Sequence, residues 1–327
     1  MGIVFLLQIF LSKKQKNMLS FFFILFQKLL PLYFYIFLGF VSARYLSSAR
    51  EIIARVMFYG IAPLVIFSGV MKTHLDAATL SLPIIIFLLS SFLCLSFYYL
   101  AKPLLKDSSS NLLALCAGTA NTGYFGLPIA VMLFDSQTVG SYILGMMGII
   151  AFESSLGFYI SARGNFSAKE CVFKVITLPT LHALILAVSF NFLKFDMPVS
   201  LSYIEPYVLK VFTIVGMMII GMGLNGVSLK NLDLKFISMA FLAKFVAWPL
   251  ATFLLIFLDS SFFGLYSSNV HKALILFSIV PLASNPVIIA TILKSYPEKA
   301  ATSTLLSTLF ALIYIPVMTI LFINPDM

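Results

Sequence analysis

The sequence predicts an all-α membrane protein: ten transmembrane helices as two inverted five-helix repeats, with the fourth and ninth helices broken and crossing. Three observations carry this prediction. The chain of 327 residues is 61% hydrophobic and 10% charged, whereas a soluble domain is about half apolar and a quarter charged. Its apolar runs are about twenty residues long, which suits bilayer-spanning helices and exceeds the length of barrel strands. Two of those runs are interrupted by glycine, proline and asparagine. Backbone opened at membrane depth persists only where it is buried in protein or lines a cavity.

The first five spans are expected at Leu25–Tyr45, Ile52–Met71, Leu80–Leu100, Asn111–Phe134 and Val139–Ser161. The second five are expected at Val172–Leu193, Tyr207–Val227, Phe236–Leu258, Lys272–Ile292 and Ala300–Ile323. The longest polar joint, Arg163–Glu170, falls between the two sets. This gives a first repeat over 18–161, a cytoplasmic joint over 162–171 and a second repeat over 172–327. An odd number of spans per set forces the halves to insert with opposite orientation. Leu30-Pro31 in the first span and Leu178-Pro179 in the sixth echo each other across the halves.

Lysine and arginine set the orientation. Alternate loops carry twelve: Arg44, Arg50 and Arg55, then Lys102 and Lys106, then Arg163, Lys169 and Lys174, then Lys230 and Lys235, and finally Lys294 and Lys299. The opposite loops carry four: Lys72, Lys194, Lys210 and Lys272. The positive-inside rule then puts the mid-chain joint in the cytoplasm and both termini outside, in a multi-pass protein of the inner or plasma membrane. Lys13, Lys14, Lys16 and Lys28 oppose this assignment. A start at Met18 resolves most of the conflict, and residues 1–17 then read as an N-terminal extension, either outside the native protein or an interfacial stub. The net charge of +9 thus reads as loop anchoring, with membrane lipid and not nucleic acid as the surroundings.

The fourth span contains Gly118-Thr-Ala-Asn121-Thr122-Gly123-Tyr124-Phe-Gly126-Leu-Pro128, and the ninth contains Pro281-Leu-Ala-Ser284-Asn285-Pro286. Paired interruptions at corresponding places in two halves point to a transport site. Converging helix N-termini carry partial positive charge and free N–H groups, which suit a carboxylate. Asn121, Thr122, Ser284 and Asn285 add neutral hydrogen bonds, and Tyr124 walls the hollow. Glu153 is the acidic residue inside a span and Lys244 the basic one deep in another. A charge at the bilayer centre costs roughly 3 kcal/mol, so such groups face a bundle interior. Two readings stand side by side: a proton-coupling Glu153 with Lys244 as counter-charge to substrate, or a buried structural pair.

Asn121-Thr-Gly-Tyr-Phe-Gly-Leu-Pro128 resembles the Asn-Thr…Gly-[Ile/Leu]-Pro signature of the auxin efflux carrier family, which includes bacterial permeases. The similarity runs from about Met18 over most of the chain. It implies a fold like that of bile-acid-type sodium symporters and a secondary carrier of small organic anions, such as mono- or dicarboxylates. It also implies an elevator-like movement and a scaffold that is often dimeric. Asn121 and Pro128 match the signature. The second break departs from it, with prolines at 281 and 286 instead of near Ser284, and with Ile288 about where an asparagine is common. No sodium site follows from these residues, and the coupling ion, proton or sodium, is left open.

Other classes fit less well. An enzyme needs several acids or histidines gathered on one face, and here they are scattered. Cys94, Cys116 and Cys171 form no metal or disulfide pattern, no cofactor motif is present, and no P-loop supports direct ATP drive. A receptor built on the same fold is the alternative that retains a pocket.

Overall fold

A computed structural model describes residues 13–46, 49–105, 107–162, 169, 173, 176–223 and 232–323. Residues 1–12 of the expected extension, Arg163, Lys230, Cys171 and most of the mid-chain joint lie outside them. Among the described residues every regular element is helical, and seven helices are long and apolar enough to cross a membrane. This is an integral multi-pass membrane protein.

In chain order the helices are α1 (Lys13–Leu46), α2 (Glu51–Met71), α3 (Ala77–Ala101), α4a (Ser109–Gly118) and α4b (Leu127–Leu133, entered by a π turn over Thr122–Gly126). Then come α5 (Ser136–Ala162), α6 (Pro179–Phe192), α7 (Val199–Gly223), α8 (Leu234–Phe263), α9a (Ser268–Ile279), α9b (Asn285–Ile292) and α10 (Pro297–Ile323). Two boundaries differ from expectation. The α1 helix already runs from Lys13, well ahead of the expected Leu25. Helix α6 starts at Pro179 and not near Val172; proline lacks the N–H that an interior position needs, and its fixed φ suits a first helical turn.

Polar caps start several helices. Asp76 accepts the Thr79 N–H at 2.8 Å, and Thr79 Oγ1 accepts the Asp76 N–H at 2.9 Å. This reciprocal cap satisfies two donors that the helix itself leaves open. The Thr79 N–H holds the Asp76 carboxyl below its ordinary range. Asp135 and Asp233 cap α5 and α8 one way only, their carboxylates accepting the Thr138 and Phe236 N–H groups at 2.9 and 3.0 Å.

Packing pairs α1 with α7, α2 with α6, and α3 with both α5 and α4a. The α1–α7 contact is backbone against backbone. A Cβ at Gly39 would lie 2.1 Å from the Met218 carbonyl oxygen, and one at Gly221 would lie 1.8 Å from that of Ile36. Membrane helices have no hydrophobic drive toward one another, so small residues that permit close approach carry the association. Between α2 and α6, Asn191 Nδ2 donates to the Thr73 and Val70 carbonyls at 2.8 and 3.2 Å. These contacts hold α1, α2, α6 and α7 together beside the two broken helices.

The Gly221→Ala substitution should destabilise the purified protein by about 1–3 kcal/mol through overpacking. Gly60→Ala is the control, because nothing lies within 4 Å of a Cβ there. Thermal unfolding in detergent checks both: the melting temperature falls for Gly221→Ala and holds for Gly60→Ala.

Candidate functional site

The α4 break begins where Thr119 turns extended (φ −109, ψ 160) after Gly118. A Cβ at Gly118 would stand 2.4 Å from the Phe152 ring, so the last turn of α4a admits no larger residue without a shift. Asn121 follows with φ −76 and ψ 62, and the Gly126 N–H closes the π turn on the Asn121 carbonyl at 2.9 Å. The α9 break begins at Val280 (φ −69, ψ 155). The two openings are joined directly: the Asn121 N–H donates to the Pro281 carbonyl at 2.9 Å. The pair of interrupted segments therefore meets, backbone to backbone.

Each break frees carbonyls that a continuous helix would use. The N–H four residues after Ala117 belongs to Asn121, which is spent on Pro281. The residue four after Phe277 is Pro281, which has no N–H. Both freed carbonyls are served by α8. Trp248 Nε1 donates to the Ala117 carbonyl at 2.8 Å, and Lys244 Nζ donates to that of Phe277 at 3.0 Å. Lys244 and Trp248 are one turn apart, both completely buried, with the ammonium 4.5 Å from the indole centroid. Helix α10 serves two further groups of the second break. Ser307 Oγ accepts the Leu282 N–H at 3.2 Å, and Thr304 Oγ1 donates to the Ala283 carbonyl at 3.2 Å.

This arrangement places Lys244 away from the cavity. Lys244 is not on the wall of the cavity described below and forms no ion pair with Glu153 among the described residues. Its partner is a helix C-terminus, where a cation meets the negative end of the helix dipole.

A cavity of about 100 Å³ lies against the two breaks. Asn121, Thr122, Gly123 and Tyr124 line it from the first break, and Ser284 and Asn285 from the second. Gly126, Pro128 and Pro286 are not on its wall. Gly126 is tight against Tyr142, whose hydroxyl would lie 2.0 Å from a Cβ there. Pro128 and Pro286 occupy first turns of α4b and α9b. Tyr124 packs into the notch at Gly216 of α7, and Phe212 of α7 and Val65 of α2 supply apolar wall.

The polar chemistry comes from few groups. Glu153, near the end of the first segment of α5, lines the cavity and accepts a hydrogen bond from Asn285 Nδ2 at 2.5 Å. Asn121 Nδ2, Ser284 Oγ and Thr180 Oγ1 are buried without a hydrogen-bond partner, and all three residues line the same cavity. Most buried polar atoms are paired, so an orphan calls for an explanation. Among the described residues no cluster of His, Cys, Asp or Glu is placed to hold a metal ion. Sequence reasoning had not singled out Thr180, Trp248, Thr304 or Ser307. Pro179 opening α6 was the available signal for Thr180, and the single tryptophan of the chain was one for Trp248.

No protein-family model matches the chain. Over 166 residues it is 28% identical to an uncharacterized transporter of Methanocaldococcus jannaschii, an alignment covering 49% of this chain and 53% of that protein. The chain thus spans about half the length of the curated relative it matches.

Removing either donor of α8 strands a carbonyl in an apolar interior, at about 1–3 kcal/mol each. Trp248→Phe and Lys244→Met are each expected to lower the melting temperature of the detergent-solubilised protein. Unchanged melting in both variants would show that the freed carbonyls find other partners.

Proposed function

We propose that the protein is a secondary transporter of small organic anions, carboxylates foremost, that binds its substrate between the two broken helices. The observation that carries this reading is the meeting of two helix starts, the π turn that leads into α4b and the first turn of α9b, at one cavity where each break presents an unpartnered side chain. Asn121 Nδ2 is a donor. The Ser284 hydroxyl donates or accepts, and the N-terminal N–H groups of a helix favour negative charge. An anion is held there by neutral donors, with no fixed cation on the wall among the described residues. Thr122, Gly123, Tyr124 and Asn285 complete the surface around it, and Gly126, Pro128 and Pro286 shape the turns that present it. The similarity to an uncharacterized transporter and the apolar helices support the transporter class.

In this reading the ten segments form two inverted repeats. The packing is consistent with it: α1 lies on α7 while α2 lies on α6, so the first two helices of each half contact each other in exchanged order. Those four helices would form the fixed frame, and the units containing the breaks would move in an elevator-like manner. Glu153, a carboxylate on the wall of an anion site, is the group to carry a coupled proton: protonation removes its repulsion of the substrate. Catalysis is not part of this proposal, since Glu153 is the one acid on the cavity wall among the described residues.

Purified protein in liposomes, tested with labelled acetate, pyruvate and succinate under imposed pH or sodium gradients, checks the class of substrate. Asn121→Ala should cut uptake roughly ten- to hundredfold, the value of a hydrogen bond to a charged group, while the protein stays folded. Wild-type flux in that variant removes Asn121 from the site. Glu153→Gln should flatten the pH profile of uptake; an unaltered profile returns Glu153 to a structural role.

A further inference from the structure

Thr180 stands on α6, outside both broken helices, yet it lines the cavity they bound. It is 1% exposed, and its Oγ1 has no hydrogen-bond partner. A threonine in a first helical turn usually turns its hydroxyl to a nearby backbone group, as Thr79 does toward Asp76 in α3. Thr180 makes no such bond. Burying an unpaired hydroxyl is costly, and valine would have the same shape without that cost. Five other elements wall the cavity it lines. From the breaks come Asn121 and Ser284, which also carry orphaned polar atoms. From α5 comes Glu153, whose Oε2 is engaged by Asn285, and from α2 and α7 come apolar side chains.

We propose that Thr180 is a third hydrogen-bonding arm of the site, contacting the carboxylate-bearing ligand from the α6 side while Asn121 and Ser284 hold it from the breaks. This deepens the transporter reading and rests on it for the class of ligand. Three neutral arms on three chain segments converge on one small anion. The ligand then bridges the broken helices and the α1–α2–α6–α7 frame. A threonine hydroxyl donates to a carboxylate oxygen or accepts from a ligand hydroxyl, so the arm also favours acids small enough to touch both walls of a cavity of about 100 Å³.

The test uses the full-length protein in liposomes and whichever of labelled acetate, pyruvate and succinate the wild type carries. Thr180→Val should raise KM about tenfold, as expected for one lost hydrogen bond to a charged group, and Thr180→Ser should stay near wild type. A wild-type KM in Thr180→Val overturns the proposal. So does an equal rise in Thr180→Ser, which would mark a packing role. If the wild type carries none of the three acids, the transporter reading for these acids fails by itself. A second arm then decides Thr180: Thr180→Cys is exposed to the anionic thiol reagent 2-sulfonatoethyl methanethiosulfonate, with wild-type protein giving the background from native cysteines. Labelling above that background supports an anion-accessible Thr180, and background labelling alone overturns it.

Discussion

An opened backbone in a membrane must still find a partner for every N–H and C=O it frees, and this requirement governs the architecture. Unsatisfied groups cost several kcal/mol in hydrocarbon, so two breaks need a shell of donors and acceptors around them. Here the shell is supplied by intact helices. Helix α8 gives Trp248 to the end of α4a and Lys244 to the end of α9a. Helix α10 gives Ser307 and Thr304 to the second break. The breaks also serve each other through Asn121 and Pro281. Three of the side-chain atoms left unsatisfied, on Asn121, Ser284 and Thr180, face the cavity beside the breaks.

That division of labour separates two kinds of polar residue that look alike in a sequence. Lys244 and Glu153 are both ionisable groups within apolar runs, and both are buried. Lys244 is consumed in closing a helix end, and its ammonium lies over the Trp248 ring. Glu153 sits on the cavity wall with a single amide donor. The first stabilises the broken element; the second is available to whatever enters. Glycines divide in the same manner. Gly126 and Gly118 are required by close neighbours, whereas a Cβ at Gly123 would meet nothing nearer than 3.7 Å, so Gly123 contributes open wall.

Much of the helical, membrane-embedded character was legible in composition and run length, because hydrocarbon tolerates few other solutions. The two breaks were legible as well, since glycine, proline and asparagine at mid-run have few other reasons to be there. Asn121, Thr122, Gly123, Tyr124, Ser284 and Asn285 do reach one cavity wall, while Gly126, Pro128 and Pro286 stand behind it. The fate of Lys244 was not legible: its partner is a carbonyl more than thirty residues away, freed by a proline in another helix. Thr180 was hidden for a related reason. A hydroxyl in a first helical turn is ordinarily a cap, and only the packing of α6 against the breaks gives it another surrounding.

The central claim is that a small carboxylate binds where the two breaks meet. Crystals of the protein grown with bromoacetate, measured at the bromine absorption edge, test it most directly. The account predicts an anomalous peak inside the cavity bounded by Asn121, Ser284 and Thr180, lost in Asn121→Ala. A peak elsewhere in the protein with this cavity empty, or one unaffected by that substitution, would contradict it.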